Sequence, residues 1–151
     1  VNLDGTFILC KYAIPLMKRQ QSGVILLTSS TAGLFGFTNR APYVSSKWAL
    51  NGLLKTLAIE LGPFNIRVNA ICPGSVEGSR LNLVLEREAK AKGVSLDEIR
   101  KAYDLSTSMP SFVTSSDIAS TAVFLASDGA YRISGQAIAV DGNTEHPEPK
   151  F

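Results

Sequence analysis

Apolar residues recur along the first twenty positions of the chain at steps of three and four residues, which is the spacing of an amphipathic helix. The pattern predicts a helix over residues 3–20 with a broad apolar face, ended by Ser22 and Gly23. A short apolar run follows at residues 24–27. Its length, its flanking glycine and its β-branched content favour a buried parallel strand. The Ser-, Thr- and Gly-rich residues 28–38 are predicted to form a loop.

The same two kinds of pattern alternate through the rest of the chain. They predict helices over residues 42–61, 81–92, 96–103 and 117–126, and strands over residues 66–72 and 136–140. Pro42 suits a first helical turn, and Gly62 with Pro63 ends that helix. Asp117 caps or opens the last helix.

Two segments differ in kind from these elements. Residues 75–112 hold the two short charged helices and no predicted strand, and an insertion of this size between sheet elements is typical of a lid over a substrate site. The polar residues 141–151 contain prolines and are expected to be loose, with residues 143–151 as a tail.

The order of elements predicts the fold class. Strands that alternate with helices are joined by right-handed crossovers into a parallel sheet. The expected fold is therefore α/β, a three-layer, Rossmann-type doubly wound parallel sheet. Three strands are about half of such a sheet, and the chain starts at Val1, without Met and inside a predicted helix. We therefore interpret residues 1–151 as the C-terminal half of one domain.

Composition and charge narrow the possible partners. The chain is 45% hydrophobic and 19% charged, as in ordinary globular proteins, and its net charge of +2 comes from scattered basic residues. Neither nucleic acid nor an anionic membrane is expected as a partner. Cys10 and Cys72 lie in apolar runs and are expected to be reduced and buried. With His146 as the single histidine, a metal site is not expected. The absence of a signal peptide pattern and of a membrane-length apolar run predicts a cytoplasmic protein.

A tyrosine and a lysine near the start of the second long helix are the first candidates for chemistry. Tyr43 and Lys47 are four residues apart, so both lie on one helix face within reach of a shared ligand. An ammonium beside a phenol stabilises the phenolate, and such a phenol can exchange a proton with an alcohol or a ketone. Taken alone this spacing also fits an ordinary amphipathic helix surface.

Two turns after predicted strands add to this site. Ser29 and Ser30 follow the first strand at its C-terminal end, where open parallel sheets bind ligands. Ser30 can hydrogen-bond a substrate oxygen, whereas a loop serine that caps its own turn is a better description of Ser29. Pro73 and Gly74 end the next strand at the same edge. A glycine there lets backbone approach a flat ligand, although the pair can equally be a strand terminator.

Together these motifs resemble the short-chain dehydrogenases/reductases, of the 3-oxoacyl-carrier-protein reductase-like kind. The resemblance rests on four stretches of sequence that come in the family's order and spacing. They are Thr28-Ser29-Ser30-Thr31-Ala32-Gly33, Tyr43-Val44-Ser45-Ser46-Lys47, Asn65-Ile66-Arg67-Val68-Asn69-Ala70-Ile71-Cys72-Pro73-Gly74, and Ile133-Ser134-Gly135-Gln136 through Val140-Asp141-Gly142. The similarity covers nearly the whole chain.

The resemblance implies a role for each matching catalytic residue. Tyr43 would be the proton donor and acceptor, and Lys47 would stabilise its phenolate and hydrogen-bond the nicotinamide ribose. Ser30 would hold the substrate carbonyl. Asn2 matches the family asparagine whose backbone holds a water in the proton relay, although from the residues alone Asn2 is a helix N-cap.

The resemblance also implies the cofactor and the reaction. Pro73, Gly74 and Val76 match the stretch that contacts the nicotinamide carboxamide, so the expected cofactor is NAD or NADP. The family often has Thr where this chain has Gly78. No G-x-x-x-G-x-G turn for the pyrophosphate occurs in the chain, and the family pattern places it before Val1.

The implied activity is hydride transfer between NAD(P)(H) and a ketone or secondary alcohol, carried by an intact parent protein. The alternative is a non-catalytic fragment or binding module that associates with other subunits. Apolar residues of the predicted lid favour an apolar or amphipathic small-molecule substrate; they are Leu81, Leu83, Val84, Leu85, Met109 and Phe112. The helices at 3–20 and 42–61 match those that pair subunits in the family, so a homo-oligomer is expected. In that case Trp48 and the leucines of the second helix face a partner, and the competing interpretation packs these helices on the sheet.

Overall fold

The structure is a computed structural model, and it describes residues 1–147. Its α-helices are α1 (Asn2–Gln20), α2 (Ala41–Leu61), α3 (Ser79–Lys92), α4 (Leu96–Asp104) and α5 (Ser115–Ala126). Its strands are β1 (Gly23–Thr28), β2 (Ile66–Pro73) and β3 (Ala137–Val140). Short 3₁₀ turns occupy Thr31–Gly33, Gly62–Phe64 and Asp128–Ala130. Every predicted helix and strand is present, with ends that differ by at most two residues.

The three strands form one parallel sheet in the order β1-β2-β3. Gly23 pairs with Ile66 at the start of the β1–β2 register, and Pro73 pairs with Val140 at the end of the β2–β3 register. The C-terminal ends of all three strands therefore meet at one edge of the sheet. In the described part of the chain β1 and β3 each have one unpaired side.

Helices cover both faces of this sheet. Ile25 and Leu27 point to one face, where they pack with α1 and with buried leucines of α2. Leu26, between them, points to the other face and packs against the cluster that contains Leu125 of α5. The arrangement has three layers, and it confirms the predicted α/β, Rossmann-type fold class. On α2, Leu50, Leu54, Leu57 and Leu61 are buried while Trp48 is 52% exposed. The leucines thus follow the packing interpretation, and Trp48 remains open to a partner.

The two cysteines behave as predicted. Cys10 and Cys72 are both buried and free. Burial raises the pKa of the Cys10 thiol. It also raises the pKa of Cys72, where hydrogen bonding with the Ser29 side chain and the Ser30 backbone only partly opposes the effect of burial. Both thiols are therefore protonated, unreactive core side chains.

Three helix ends differ from the expectation. Helix α1 ends at Gln20, and the left-handed residue that follows it is Gln21, at φ 54°, rather than Gly23. Gly62 stays right-handed after α2, and Asn65, at φ 56°, makes the left-handed turn instead. Helix α5 is capped by Thr114, and Asp117 supplies the reciprocal contact of a capping box. Asn is among the residues that adopt the left-handed region most readily, so Asn65 can take the place of a nearby glycine.

The C-terminal segment is not loose within the described residues. Residues 142–147 run beside residues 106–109 and pair with them through the backbone. Met109 N donates to Gly142 O at 3.0 Å, and Ser108 N donates to Asn143 O at 3.0 Å. The tail prediction at residues 148–151 lies outside the described part. Polar composition indicated a free tail because nothing local in it reveals a partner more than thirty residues away.

The segment predicted as a lid has a small core of its own. Helices α3 and α4 pack together around Leu85, Ala89 and Ile99, which are nearly inaccessible to solvent. Leu81 and Phe112 pack against this cluster. Leu83 and Met109 are exposed by 53% and 67%. Leu85 therefore stabilises the segment internally, whereas Leu83 and Met109 face solvent.

The capping box of α5 predicts a pH-dependent contribution to stability. The Asp117 carboxylate accepts hydrogen bonds from the Thr114 hydroxyl at 2.7 Å and backbone N–H at 2.8 Å, which hold its pKa below the ordinary value. A depressed pKa contributes stability above the unfolded-state pKa of about 4, and the contribution disappears as the pH falls through the folded-state pKa. Asp117→Asn is expected to destabilise most near neutral pH and least in acid, as measured by urea unfolding.

The neighbouring substitution Ser116→Ala is the control, because it removes no titratable group. A loss from Asp117→Asn that stays constant from neutral to acid pH would contradict the role of the carboxylate.

Candidate active site

Three segments bring the candidate residues to the C-terminal edge of the sheet. Ser30 follows β1, Tyr43 and Lys47 lie in the first two turns of α2, and Gly74 follows β2. Because β1 and β2 are parallel neighbours, their ends lie side by side, and α2 begins beside them. The edge predicted to bind ligands thus gathers the residues that the sequence singled out.

Lys47 is held in place within this group. Its side chain is buried, and Nζ donates a hydrogen bond to the Thr28 carbonyl at 2.8 Å. The ammonium also lies 5.7 Å from the centroid of the Tyr43 ring. The carbonyl and the ring face replace part of the water lost on burial. The structure therefore places a fixed positive charge beside the half-buried Tyr43, as the four-residue spacing predicted.

The two serines differ from the expectation in which of them caps the turn after β1. Ser30 begins the 3₁₀ turn, and its Oγ accepts a hydrogen bond from Ala32 N at 3.1 Å. Ser29 is buried, and its Oγ donates to the carbonyl of Lys47 at 3.2 Å. The turn-capping serine is thus Ser30, and the assignment of that role to Ser29 was wrong. Accepting this bond leaves the Ser30 hydroxyl proton free to be donated to a ligand oxygen.

Asn2 lies at the start of α1 and approaches α2 there. Its Nδ2 donates to Ser46 Oγ at 3.4 Å, and Ser46 Oγ donates to the Tyr43 carbonyl at 2.7 Å. The N-cap position belongs to Val1, so Asn2 is not the cap. A cavity of about 440 Å³ opens between these helix starts, and it is lined by Val1, Asn2, Leu3, Asp4, Pro42, Tyr43 and Ser46. Asn2 is therefore linked to Tyr43 through Ser46.

Gly74 is required by a contact within the protein. Its N donates to Val140 O at 3.0 Å, continuing the β2–β3 pairing. A Cβ added to Gly74 would lie 2.7 Å from the Cβ and 2.9 Å from the Cα of Asp141. Val76, two residues on, bridges Val113. Gly74 therefore allows a close approach to Asp141, which follows β3. Its position after Pro73, at the C-terminal edge of the sheet, is as predicted.

Gly74→Ala is expected to destabilise the protein by about 1–3 kcal/mol, because neither backbone can move without breaking the strand pairing. Gly52→Ala, in the middle of α2 with no atom near the added methyl, is expected to stabilise it by about 0.5–1 kcal/mol. Chemical denaturation of both variants checks the two signs. A neutral Gly74→Ala would show that the Asp141 contact is not tight.

The paired C-terminal segment completes a second, smaller cavity at the same edge. The cavity has a volume of about 40 Å³. Its lining includes Thr31, Gly74, Ser75, Ser106, Phe112 and His146. Sequence reasoning missed this use of His146, since a lone histidine in a polar tail carries no local signal. It also missed Asn51, one turn after Lys47, whose Nδ2 donates to the Gly33 carbonyl at 2.8 Å.

This geometry, a parallel three-layer fold with a buried lysine beside a tyrosine at the strand ends, is that of a dehydrogenase-type nucleotide fold. The family model described as enoyl-(acyl carrier protein) reductase matches residues 1–143. The chain belongs to this family, and through it to the short-chain dehydrogenases/reductases.

Curated relatives match over almost all of this chain. Trans-4-hydroxycyclohexanecarboxylate dehydrogenase of Sinomonas cyclohexanicum is 39% identical, over 94% of this chain and 48% of the relative. The 3-oxoacyl-(acyl-carrier-protein) reductase of Thermotoga maritima is 34% identical, over 94% of this chain and 53% of the relative. The chain therefore spans about half the length of the curated relatives it matches.

Solved structures agree with the fold. Actinorhodin polyketide ketoreductase, crystallised with NADPH, superposes with a TM-score of 0.88 at 32% identity, covering 94% of this chain and 55% of that one. A 4-hydroxyisoleucine dehydrogenase complexed with NADH superposes with a TM-score of 0.75 at 32% identity, covering 95% and 56%. No helix in the part of the chain that the structure describes is long and apolar enough to span a membrane.

Proposed function

We propose that this chain supplies the proton-transfer half of an NAD(P)-dependent oxidoreductase that interconverts a ketone and a secondary alcohol. The observation that carries the proposal is the buried Lys47 ammonium, fixed by the Thr28 carbonyl and close to the Tyr43 ring at the strand ends. Membership of the short-chain dehydrogenases/reductases and the relatives solved with NADPH and NADH support it.

Each residue has a chemical task in this proposal. When bound, the nicotinamide exchanges a hydride with the substrate carbon. In the reduction, the Tyr43 phenol donates its proton to the carbonyl oxygen, and in the oxidation it takes that proton back. Ser30 donates its free hydroxyl proton to the same oxygen and stabilises the alkoxide that develops there. Lys47 stabilises the phenolate, and Asn2 belongs to the proton path behind it.

The residues present fit the nicotinamide end of the cofactor. Lys47 and Tyr43 would hold the ribose, while Pro73, Gly74 and Val76 lie along the strand end where the carboxamide would bind. The pyrophosphate has no cradle in this sequence, which contains no G-x-x-x-G-x-G turn. We therefore place that turn outside residues 1–151, and expect these residues alone to bind cofactor weakly and to be inactive.

The residues around the small cavity suggest the kind of substrate. Phe37 and Phe112 lie there beside the hydroxyls of Thr31, Ser75 and Ser106. At about 40 Å³ the cavity is well below the roughly 300–1,000 Å³ of a ligand site, so it does not hold a substrate by itself. The mixture of aromatic rings and hydroxyls around it favours an amphipathic small molecule over a purely apolar one. We propose that the enzyme is a cytoplasmic homo-oligomer, with neither nucleic acid nor membrane as a partner.

Exposed apolar residues on α1 favour a second candidate function, association with other subunits without catalysis. Cys10 is the buried residue that α1 contributes. Large apolar side chains of the helix are more than half exposed; they are Phe7, Ile8, Leu9, Tyr12 and Leu16. Light scattering combined with an activity assay separates the two candidates.

The proposal is tested by expressing the full-length protein that carries this chain and following nicotinamide absorbance with NADH and NADPH against a panel of ketones. Turnover with at least one ketone is expected, together with the reverse reaction from its alcohol. Binding of the cofactor without any turnover in either direction would favour the non-catalytic alternative.

A further inference from the structure

Two hydrogen bonds, one on each side of Ser30, join the loop that carries this residue to α2. On one side of Ser30, Ser29 Oγ donates to the Lys47 carbonyl at 3.2 Å. On the other side, Asn51 Nδ2 donates to the Gly33 carbonyl at 2.8 Å. Lys47 and Asn51 are one helical turn apart, on the same face as Tyr43 one turn earlier. Both hydrogen bonds therefore join the Ser30 loop to the helix face that carries Tyr43 and Lys47.

The atoms around Gly33, between the two hydrogen bonds, are tightly packed. A Cβ added to Gly33 would lie 2.5 Å from Ser29 Oγ, 3.0 Å from Asn51 Nδ2 and 3.0 Å from the Lys47 carbonyl oxygen. Ser29 is additionally tied to the sheet, because its backbone N donates to Ile71 O at 2.8 Å. The loop can therefore lie against α2 only with a glycine at position 33 and with both side chains in their observed places.

We infer that Ser29 and Asn51 are positioning residues that hold Ser30 in register with Tyr43 and Lys47; we call the pair the Ser29–Asn51 clamp. The inference rests on the proposed function, since it assigns the clamp to the same reaction. Ser30 must meet the substrate oxygen that Tyr43 protonates, and the two residues come from different elements. A misplacement of about 1 Å between reacting groups can lower a rate about 100-fold.

A substitution at Asn51 tests a single hydrogen bond. Its Oδ1 is buried and accepts no hydrogen bond from the residues that the structure describes, so the side chain acts through its amide N–H alone. Asn51→Leu keeps the approximate shape and removes the donor. Asn51→Asp keeps the shape more closely but sets an acceptor against the Gly33 carbonyl, which repels the loop.

The first experiment measures kcat and KM in the full-length protein for Ser29→Ala, Asn51→Leu, Asn51→Asp and the double variant Ser29→Ala/Asn51→Leu. Each single variant is expected to lower kcat about 10- to 100-fold with little change in KM for the cofactor. Because both side chains hold one loop, the double variant is expected to lose less than the product of the two single losses.

Ser134→Ala is the matched control, because Ser134 Oγ also bonds a backbone group of the sheet, Val68 N at 3.1 Å, outside the site. It is expected to shift the unfolding midpoint like Ser29→Ala and to keep the wild-type kcat. Unchanged kcat in the clamp variants, with midpoints lowered as in the control, would reduce the clamp to a purely structural contact and overturn the inference.

A second measurement does not depend on turnover. Amide hydrogen exchange of Ala32, Gly33 and Leu34, which form the turn after Ser30, is expected to quicken in the clamp variants and stay unchanged in Ser134→Ala. If the wild type turns over no ketone yet this exchange quickens, the proposed function fails and the clamp stands as a loop-holding device. Unchanged exchange at these amides overturns the clamp whatever the activity.

Discussion

Replacing Tyr43 with phenylalanine is expected to lower kcat/KM of the full-length protein by about 10²- to 10⁴-fold, the contribution of a positioned proton donor. The ring, which lies 5.7 Å from the Lys47 ammonium, is retained in this variant. No hydrogen bond joins the Tyr43 hydroxyl to another residue between positions 1 and 147. Removing it should therefore leave the free energy of unfolding nearly unchanged.

Tyr131→Phe serves as the control for this loss, because Tyr131 is 61% exposed, follows the 3₁₀ turn Asp128–Ala130 after α5, and loses the same single oxygen. It is expected to retain full activity. If Tyr43→Phe also retained activity, the proton donor would have to be another group at this edge, and Ser30 would be the first to examine. Equal losses in both variants would indicate a general defect in the preparation.

The elements of this fold could be predicted because their signal is local. The leucines of α2 recur at helical spacing, and the structure buries Leu50, Leu54, Leu57 and Leu61 on one side. The strands are short apolar runs between glycines, prolines and polar turns. A parallel sheet then brings all strand ends to one edge, so the neighbourhood of Ser30, Tyr43 and Gly74 also followed from the order of elements.

The details that escaped prediction depend on contacts between distant segments. Which serine caps the turn after β1 is decided by the Lys47 carbonyl, which draws the Ser29 hydroxyl toward α2. The pairing of Gly142 with Met109 depends on where the segment before α5 lies. The hydrogen bond of Asn51 could not be predicted, because an asparagine on a helix is ordinarily exposed to solvent. Each of these choices is settled by hydrogen-bond partners that only the folded chain provides.

Replacing Lys47 with methionine is expected to lower kcat/KM by about 100-fold or more, since it removes the charge that stabilises the phenolate during the reaction. The effect on folding is smaller, because two contributions oppose each other. Loss of the hydrogen bond to the Thr28 carbonyl leaves that carbonyl unpaired, which costs about 1–3 kcal/mol. Methionine, however, avoids the desolvation of a buried ammonium, which offsets part of that cost. Activity should therefore collapse while the protein still folds.

Lys55→Met, on the same helix, is the control. It distinguishes the effect of losing the charge beside Tyr43 from the effect of losing a hydrogen bond between a lysine and a backbone carbonyl. Lys55 lies two turns after Lys47, and its Nζ donates to the Gly135 carbonyl at 2.6 Å. That bond is exposed to solvent, so its loss is expected to cost about 0.5–1.5 kcal/mol or less and to leave turnover intact. Measuring kcat/KM and the unfolding midpoint for both variants gives two distinct patterns. If Lys47→Met lost stability but kept its turnover, the ammonium would be a structural tie between α2 and β1, and the phenol of Tyr43 would react without its help.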